Sequence, residues 1–142
     1  MILIDTDHVS ILKFPESQRA QRFISRLEAV ADDETIAVAI ITVEERMRGW
    51  LAMIAKERQA LRQVAAYREL ALLFEFYQEF TIVPFDESAA QKFDELRAAK
   101  VRMGTMDLKI AAIALVHNAT LLSANRSDFE RVPGIRVENS LD

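Results

Sequence analysis

Residues 103–129, MGTMDLKIAAIALVHNATLLSANRSDF, decide how this chain folds. Gly104 interrupts the chain, Thr105 is suited to cap a helix, and Asp107 falls in the first helical turn. There a carboxylate meets unpaired backbone N–H groups and the positive end of the helix dipole. From Leu108 to Val116 the side chains are apolar nearly all round, which predicts a buried helix and not one laid on a surface. Asn118 suits a left-handed stop. Thr120 to Ser123 predicts a short strand whose exit carries Asn125 and Asp128. A buried helix that opens on an acid, beside a strand that ends in polar groups, is a costly arrangement and points to function.

Before this stretch, Asp86 to Lys100 predicts a helix opened by Asp86, Glu87 and Ser88, with basic Arg97, Lys100 and Arg102 at its end. Phe80 to Pro84 predicts a strand. Two helices come earlier. One is started by Thr42, with Glu45 three residues on as in a capping box, and carries Val43, Met47, Trp50, Leu51 and Ile54 at helical spacing. The other follows a break near Lys56 and runs to about Glu79, with Leu61, Val64, Ala65, Leu72 and Phe76 expected inward. Such a pair predicts a helical hairpin projecting from a sheet. Thr35 to Ile41, β-branched and apolar, predicts a buried strand, and Asp32-Asp33-Glu34 a turn before it. Glu16 to Ala31 has helical spacing, with Phe23, Ile24, Leu27 and Val30 on one side and Arg19, Arg22 and Arg26 on another. Ile2-Leu3-Ile4 predicts a buried first strand ending in Asp5-Thr6-Asp7, where Thr6 or Asp7 is suited to cap a helical turn over Ser10 to Lys13. Beyond the opening stretch, Ile135 to Val137 predicts a last strand at the sheet edge.

Strands separated by helical crossovers predict a mostly parallel sheet of four to five strands covered on both faces, an α/β fold in one domain over residues 1–142. The composition, 51% apolar and 28% charged, is that of a soluble globular protein. No apolar run approaches the ~20 residues of a membrane span, and no secretory signal is expected. The absence of cysteine excludes disulfides, thiolate metal sites and cysteine nucleophiles, and fits a cytoplasmic protein. A net charge of −4 argues against coating nucleic acid through bulk charge, while leaving room for a local basic patch.

Ligands of open parallel sheets sit outside the carboxyl ends of the strands. Asp5, Asp7, Glu45, Asp107 and Asp128, with the amide Asn125, are expected to share that edge. Clustered carboxylates repel one another and raise each other's pKa. A hard divalent cation, Mg²⁺ or Mn²⁺, relieves this with oxygen ligands and keeps waters for a phosphate. His8 and His117 lie near a turn and at a helix end, and no Ser-His-Asp set is visible.

With ILIDTD at the start, TVEERMRGW in the middle, GTMDLKIAAIA, and then LLSANRSDF and VPGIRVEN, the chain resembles the PIN-domain ribonucleases, and among them the VapC-type toxins of bacterial toxin–antitoxin pairs. The resemblance runs over essentially the whole chain in order. It implies a three-layer α/β/α sandwich in which clustered acids hold Mg²⁺ or Mn²⁺ to cut RNA, leaving a 5′-phosphate and a 3′-hydroxyl. It implies catalytic roles for Asp5, Glu45 (four residues before Gly49) and Asp107, with metal on Asp5 and Asp107. It also implies a small cognate antitoxin and a homodimer. Two positions depart from the family pattern: Asp7 stands where Asn is common, and Asn125 where many members have a fourth acid, so Asp128 is a candidate for the missing charge.

Each residue has a structural reading beside the functional one. Asp5 and Asp7 suit caps, Glu45 a capping box, Asp107 a favoured first-turn acid, and Asn125 and Asp128 a turn. Thr105 and Ser123 suit a cap and a strand end, or a contact to ligand. Arg97, Lys100 and Arg102 complement a helix dipole or hold an RNA backbone, and Arg46, beside Glu45, shares that ambiguity. Two further functions compete. Asp5-Thr6-Asp7-His8-Val9 also fits the D-x-D-x-V of haloacid-dehalogenase-like phosphatases, with Asp5 as nucleophile, although neither the downstream Lys nor the later acidic pair is found. A PIN-like fold that lost catalysis at Asn125 would only bind RNA or protein.

Overall fold

The structure, a computed structural model, describes residues 1–141. Its five strands are β1 (Ile2–Ile4), β2 (Ile36–Ala39), β3 (Thr81–Val83), β4 (Thr120–Leu122) and β5 (Arg136–Glu138). They lie in the order β3-β2-β1-β4-β5, and every pairing is parallel. The expected edge strand is present, shifted by one residue. Between strands run α1 (Thr6–Ile11), α2 (Gln18–Val30), α3 (Ile40–Lys56), α4 (Ala60–Tyr77), α5 (Glu87–Ala98), α6 (Thr105–Val116) and the short α7 (Arg126–Phe129).

Alternation along the strands sorts side chains into two cores. Leu3, Ala37, Ala39, Val83 and Leu121 pack on one face against Phe93 of α5 and the buried side of α6. Ile4, Val38 and Leu122 pack on the other against Val9 of α1, Phe23 of α2, and Leu73 and Tyr77 of α4. The result is the predicted three-layer α/β/α sandwich.

The opening stretch folds largely as its residues require. In α6, Leu108 and Ile110 to Ala114 are buried, and the small Ala111 and Ala112 let the helix sit in the core without crowding. It ends at Asn118 with φ +50. The Asn118 N–H donates to Leu115 O at 3.2 Å and the Ala119 N–H to Ala114 O at 2.9 Å, the paired bonds of a left-handed C-terminal cap. Thr105, by contrast, is not the cap. Gly104 holds that position without a side-chain bond, and Thr105 is the first helical residue.

Three other local expectations fail for related reasons. Helix α3 starts at Ile40, directly off β2, with Ala39 as its cap, so Thr42 lies inside it, fully buried with its hydroxyl unpartnered. No capping box forms, and Glu45 is in the second turn, not the first. Helix α1 is capped by Asp5, whose carboxylate accepts from Thr6 N, and not by Thr6 or Asp7. Helix α4 is rotated from the expected register: Ala66, Leu73 and Tyr77 are buried, whereas Leu61, Val64 and Leu72 face outward. Both sides of α4 are apolar, so periodicity could not choose between them; packing on α3 did. The break after Lys56 is as expected, and Gln63 Nε2 closes it by donating to Ile54 O at 3.0 Å and Glu57 O at 2.8 Å. Among the described residues no helix is long and apolar enough to cross a membrane.

Candidate active site

The chain leaves the neighbouring strands β1 and β4 in opposite directions. After β1 it enters α1, which packs in the core containing Ile4; after β4 it enters α7, whose Phe129 packs in the core containing Leu3. Such divergence opens a crevice at the strands' carboxyl ends.

Asp5 stands in that crevice, 7% exposed. One oxygen, Oδ1, accepts from Thr6 N at 2.8 Å, and Oδ2 accepts from Ser123 Oγ at 2.8 Å. Ser123, fully buried at the end of β4, also accepts the Asn125 N–H at 3.0 Å. Burial raises the Asp5 pKa; Ser123 and Thr6 N–H oppose it, and the charges of Asp7 and Asp107 push it further up.

Asp7 is held differently. Its Oδ2 accepts from Ala124 N at 2.9 Å, and Oδ1 lies 2.6 Å from His8 Nδ1. His8 Nε2 accepts the Ser140 N–H at 3.1 Å, so the proton of the neutral ring sits on Nδ1 and is donated to Asp7. The fully buried imidazole also meets Phe23 edge to face, its centroid 5.2 Å away. Burial pushes the Asp7 pKa up, but the donors from His8 and Ala124 outweigh it and the net shift is downward. A carboxylate so engaged is ill suited to the acid/base role that the phosphatase reading needs from it.

Two more acids enter from other layers. Glu45, on α3, is half-buried; burial raises its pKa, and the charges of Asp107, Asp5 and Glu44 add to that. Glu44 itself turns to Arg48, with which it pairs at 2.7 Å. Asp107, in the first turn of α6, has its pKa raised by burial, then by the charges of Asp128 and Asp7. Asp128 pairs with Arg131 at 3.3 Å. It brings to this edge a negative charge that Asn125, held by its backbone N–H to Ser123 Oγ and by its carbonyl to Phe129 N–H, does not supply.

The structure thus brings the charges of Asp5, Asp7, Glu45, Asp107 and Asp128 to one edge, and the raised pKa values of Asp5, Glu45 and Asp107 come from burial and like charge. Among the described residues, no three His, Asp or Glu side chains are disposed to hold a metal ion as they stand. The available donors are all carboxylate oxygens under mutual repulsion, which suits a hard divalent cation whose shell is completed by water. The charge of Asp107 bears on Asp5, and the charges of both bear on Glu45.

The basic candidates separate. Arg97 is exposed and stacks over the Phe93 ring at 5.5 Å; Lys100 is exposed with φ +60. The carbonyl of Arg102 accepts from Arg131 Nη1 at 3.2 Å, which places it beside Asp128. Arg46 is no surface cation, since its Nη2 donates to Ser10 Oγ between α1 and α3. Thr105 is exposed at the start of α6. His8, reached through Asp7, was not legible as part of the site; its only signal was adjacency to the strand-end acids. Ser123 offered one, a hydroxyl at the exit of a buried strand.

The PIN domain profile matches residues 2–135. The chain belongs to the PIN-domain family. Among its relatives, Ribonuclease VapC2 of Rickettsia felis is 28% identical over 134 residues, covering 92% of this chain and 89% of that protein. The tRNA(fMet)-specific endonuclease VapC of Salmonella typhimurium is 32% identical over 84 residues, 56% of this chain and 64% of that one. The solved structure of DNA-bound VapBC from Salmonella typhimurium superposes with a TM-score of 0.72 at 23% identity, covering 99% of both chains. That likeness is one of fold, and it places the acid-lined edge described above within a PIN sandwich.

Proposed function

We propose that this PIN domain is a metal-dependent endoribonuclease and acts as the toxin of a toxin–antitoxin pair. The observation that carries the reading is the coupling of Asp5, Glu45 and Asp107, from three separate segments, at the crevice between β1 and β4. Relatives over nearly the whole chain are ribonucleases by name, which supports RNA as substrate. When bound, Mg²⁺ or Mn²⁺ would acidify a water and offset charge on the phosphodiester. Asp5 and Asp107 would hold the cation. Ser123 and Thr6 N–H fix the orientation of Asp5, and Asp7, locked by His8 and Ala124, joins the exits of β1 and β4. Glu45, with its raised pKa and no bonded partner imposed by α3, takes a proton from the attacking water at its carboxylate. The water oxygen joins phosphorus, the bond to O3′ breaks, and O3′ leaves as an oxyanion that takes a proton from solvent water, which in turn receives the proton held by Glu45.

Asp128 takes the place of the acid absent at Asn125, and Thr105, exposed at the rim, touches substrate. Arg102, with Arg97 and Lys100, guides the RNA backbone. Exposed apolar side chains on the hairpin, Leu51 and Met53 on α3 and Leu61 and Phe74 on α4, support protein partners, a small antitoxin and a second copy of the chain. Solved relatives are VapBC complexes, which supports the first of these. The sheet shared by both cores supports one domain over residues 1–142, working in the cytoplasm where its RNA is. The test is cleavage of RNA by the purified protein in Mg²⁺, with and without chelator. Cutting that survives chelation, or full activity in Asp107→Asn, refutes the assignment, and metal-independent RNA binding without cleavage would mark a binding module.

A further inference from the structure

On one face of α3, Glu45, Arg46, Gly49, Trp50 and Met53 line an open cavity of about 270 Å³. Their spacing brings them together: Glu45, Gly49 and Met53 follow at four-residue intervals, and Trp50 stands four residues after Arg46, so successive turns present them to one side. Trp50 packs in part on the core containing Ile4 and also borders the cavity. Met53, which borders it too, is 55% exposed. Gly49 has no reason in the fold itself. Glycine is among the least favourable residues in a helix interior. Yet Gly49 is not in the left-handed region, and a Cβ there would meet nothing within 4 Å. Neither backbone strain nor crowding calls for glycine at this position. What it leaves is bare helix backbone on the cavity wall, the means by which a chain admits a ligand close to itself.

Open backbone, an indole and a thioether suit a flat group with apolar faces. The neighbour decides which one. Glu45 lines the same cavity, and in the nuclease reading it takes the proton of the water that attacks phosphorus. A strand with its phosphate at that point brings the adjoining nucleotide to this cavity. A second phosphate there would be repelled by the Glu45 carboxylate, whereas a base carries no charge and offers a ring face to the indole. We infer that Gly49, Trp50 and Met53 form a stacking site for the RNA base beside the scissile phosphate. This rests on the nuclease reading. A base inside a duplex is already stacked and does not reach the cavity, so the site selects unpaired segments and accepts them with little regard to sequence.

Trp50 is the one tryptophan of the chain, so its emission reports on the site directly. Wild type is mixed rapidly with a short single-stranded RNA of mixed sequence in Mg²⁺, and emission is followed through the binding phase, before cutting. Anisotropy of a fluorescein-labelled copy over the same interval gives the affinity. Binding should quench the emission. Gly49→Leu should raise the melting temperature, because a strong helix former replaces glycine, yet weaken RNA binding about tenfold by filling the cavity. Trp50→Ala should weaken it about tenfold as well, and Trp50→Phe should restore most of the affinity. Emission unchanged at the highest RNA concentration overturns the site and leaves the cavity to a side chain of a protein partner. So does equal quenching by an abasic ribose-phosphate strand, which has no ring to stack, or wild-type affinity in Gly49→Leu. Cutting is scored in the same samples at later times. If RNA quenches Trp50 and is never cut, the nuclease reading falls and the stacking site stands; cutting without quenching does the reverse.

Discussion

Helices α4 and α6 are both rich in apolar residues, yet the fold treats them in opposite ways. Leu108 and Ile110 to Ala114 of α6 are enclosed between the sheet and α5, which leaves the helix little freedom to shift. In α4 only Ala66, Leu73 and Tyr77 are buried, while Val64, Tyr67, Leu72 and Phe74 face out and Leu61 is 89% exposed. The enclosed helix presents Asp107, whose position must be accurate. The half-exposed one carries an apolar face suited to a protein partner. An apolar helix can therefore be an anchor or a docking surface, and its surroundings decide which.

The largest effect should come from what α6 anchors. Asp107→Asn should cut RNA cleavage by about 10²–10⁴-fold, measured as initial rates in Mg²⁺. The same substitution should raise the melting temperature of the metal-free protein at neutral pH. The sign follows from the raised pKa values of Asp5, Glu45 and Asp107. Below the ordinary carboxylate pKa these groups are protonated whether folded or unfolded, and nothing is lost. As pH climbs from the ordinary carboxylate pKa through the raised folded values, ionisation increasingly penalises the folded state. Melting curves of wild type and variant should separate near pH 7 and converge at about pH 3.5; a constant gap would mean that the acids are not coupled.

Stability sharpens the contrast next. Ile113→Ala should cost about 2–5 kcal/mol in urea unfolding, because the cavity forms inside a closed core. Asp7→Ala should cost about 1–3 kcal/mol, since His8 Nδ1–H and Ala124 N–H lose their acceptor. With its pKa lowered, the Asp7 contribution is present above the usual carboxylate value and lost as pH falls through the folded one. Smallest is the outer face of α4. Leu61→Ser with Phe74→Ser should leave unfolding within about 0.5 kcal/mol while reducing self-association in sedimentation. Association that persists at wild-type strength would show that this face is not a docking surface.

Much of this was legible in the residues, and the misses share a cause. The stop at Asn118, the enclosed α6 and the strands flanked by helices follow from conformational preference and periodicity, which are local. Thr42 fitted a capping box because its spacing to Glu45 is right, but β2 passes into α3 without a turn, and the helix had begun before it. The register of α4 failed because both of its sides are apolar. Asp5 and Asp7, two residues apart and alike in sequence, acquire opposite shifts. Asp5 is buried among acids with one hydroxyl and one N–H to offset them, while Asp7 gains an imidazole N–H and a backbone N–H. Arg46 read as either a helix-dipole partner or an RNA contact, and the structure places it against Ser10 and Tyr77.

The sequence by itself determined the layered α/β class, the order of helices and strands, and the acids expected at one edge, because side-chain direction repeats with the backbone and apolar stripes record it. Only the tertiary structure decided the strand order, the side of α4 that is buried, and the opposite directions in which the Asp5 and Asp7 pKa values move. Those depend on distances between residues far apart in the chain, and a charge responds to whatever stands nearest to it in space.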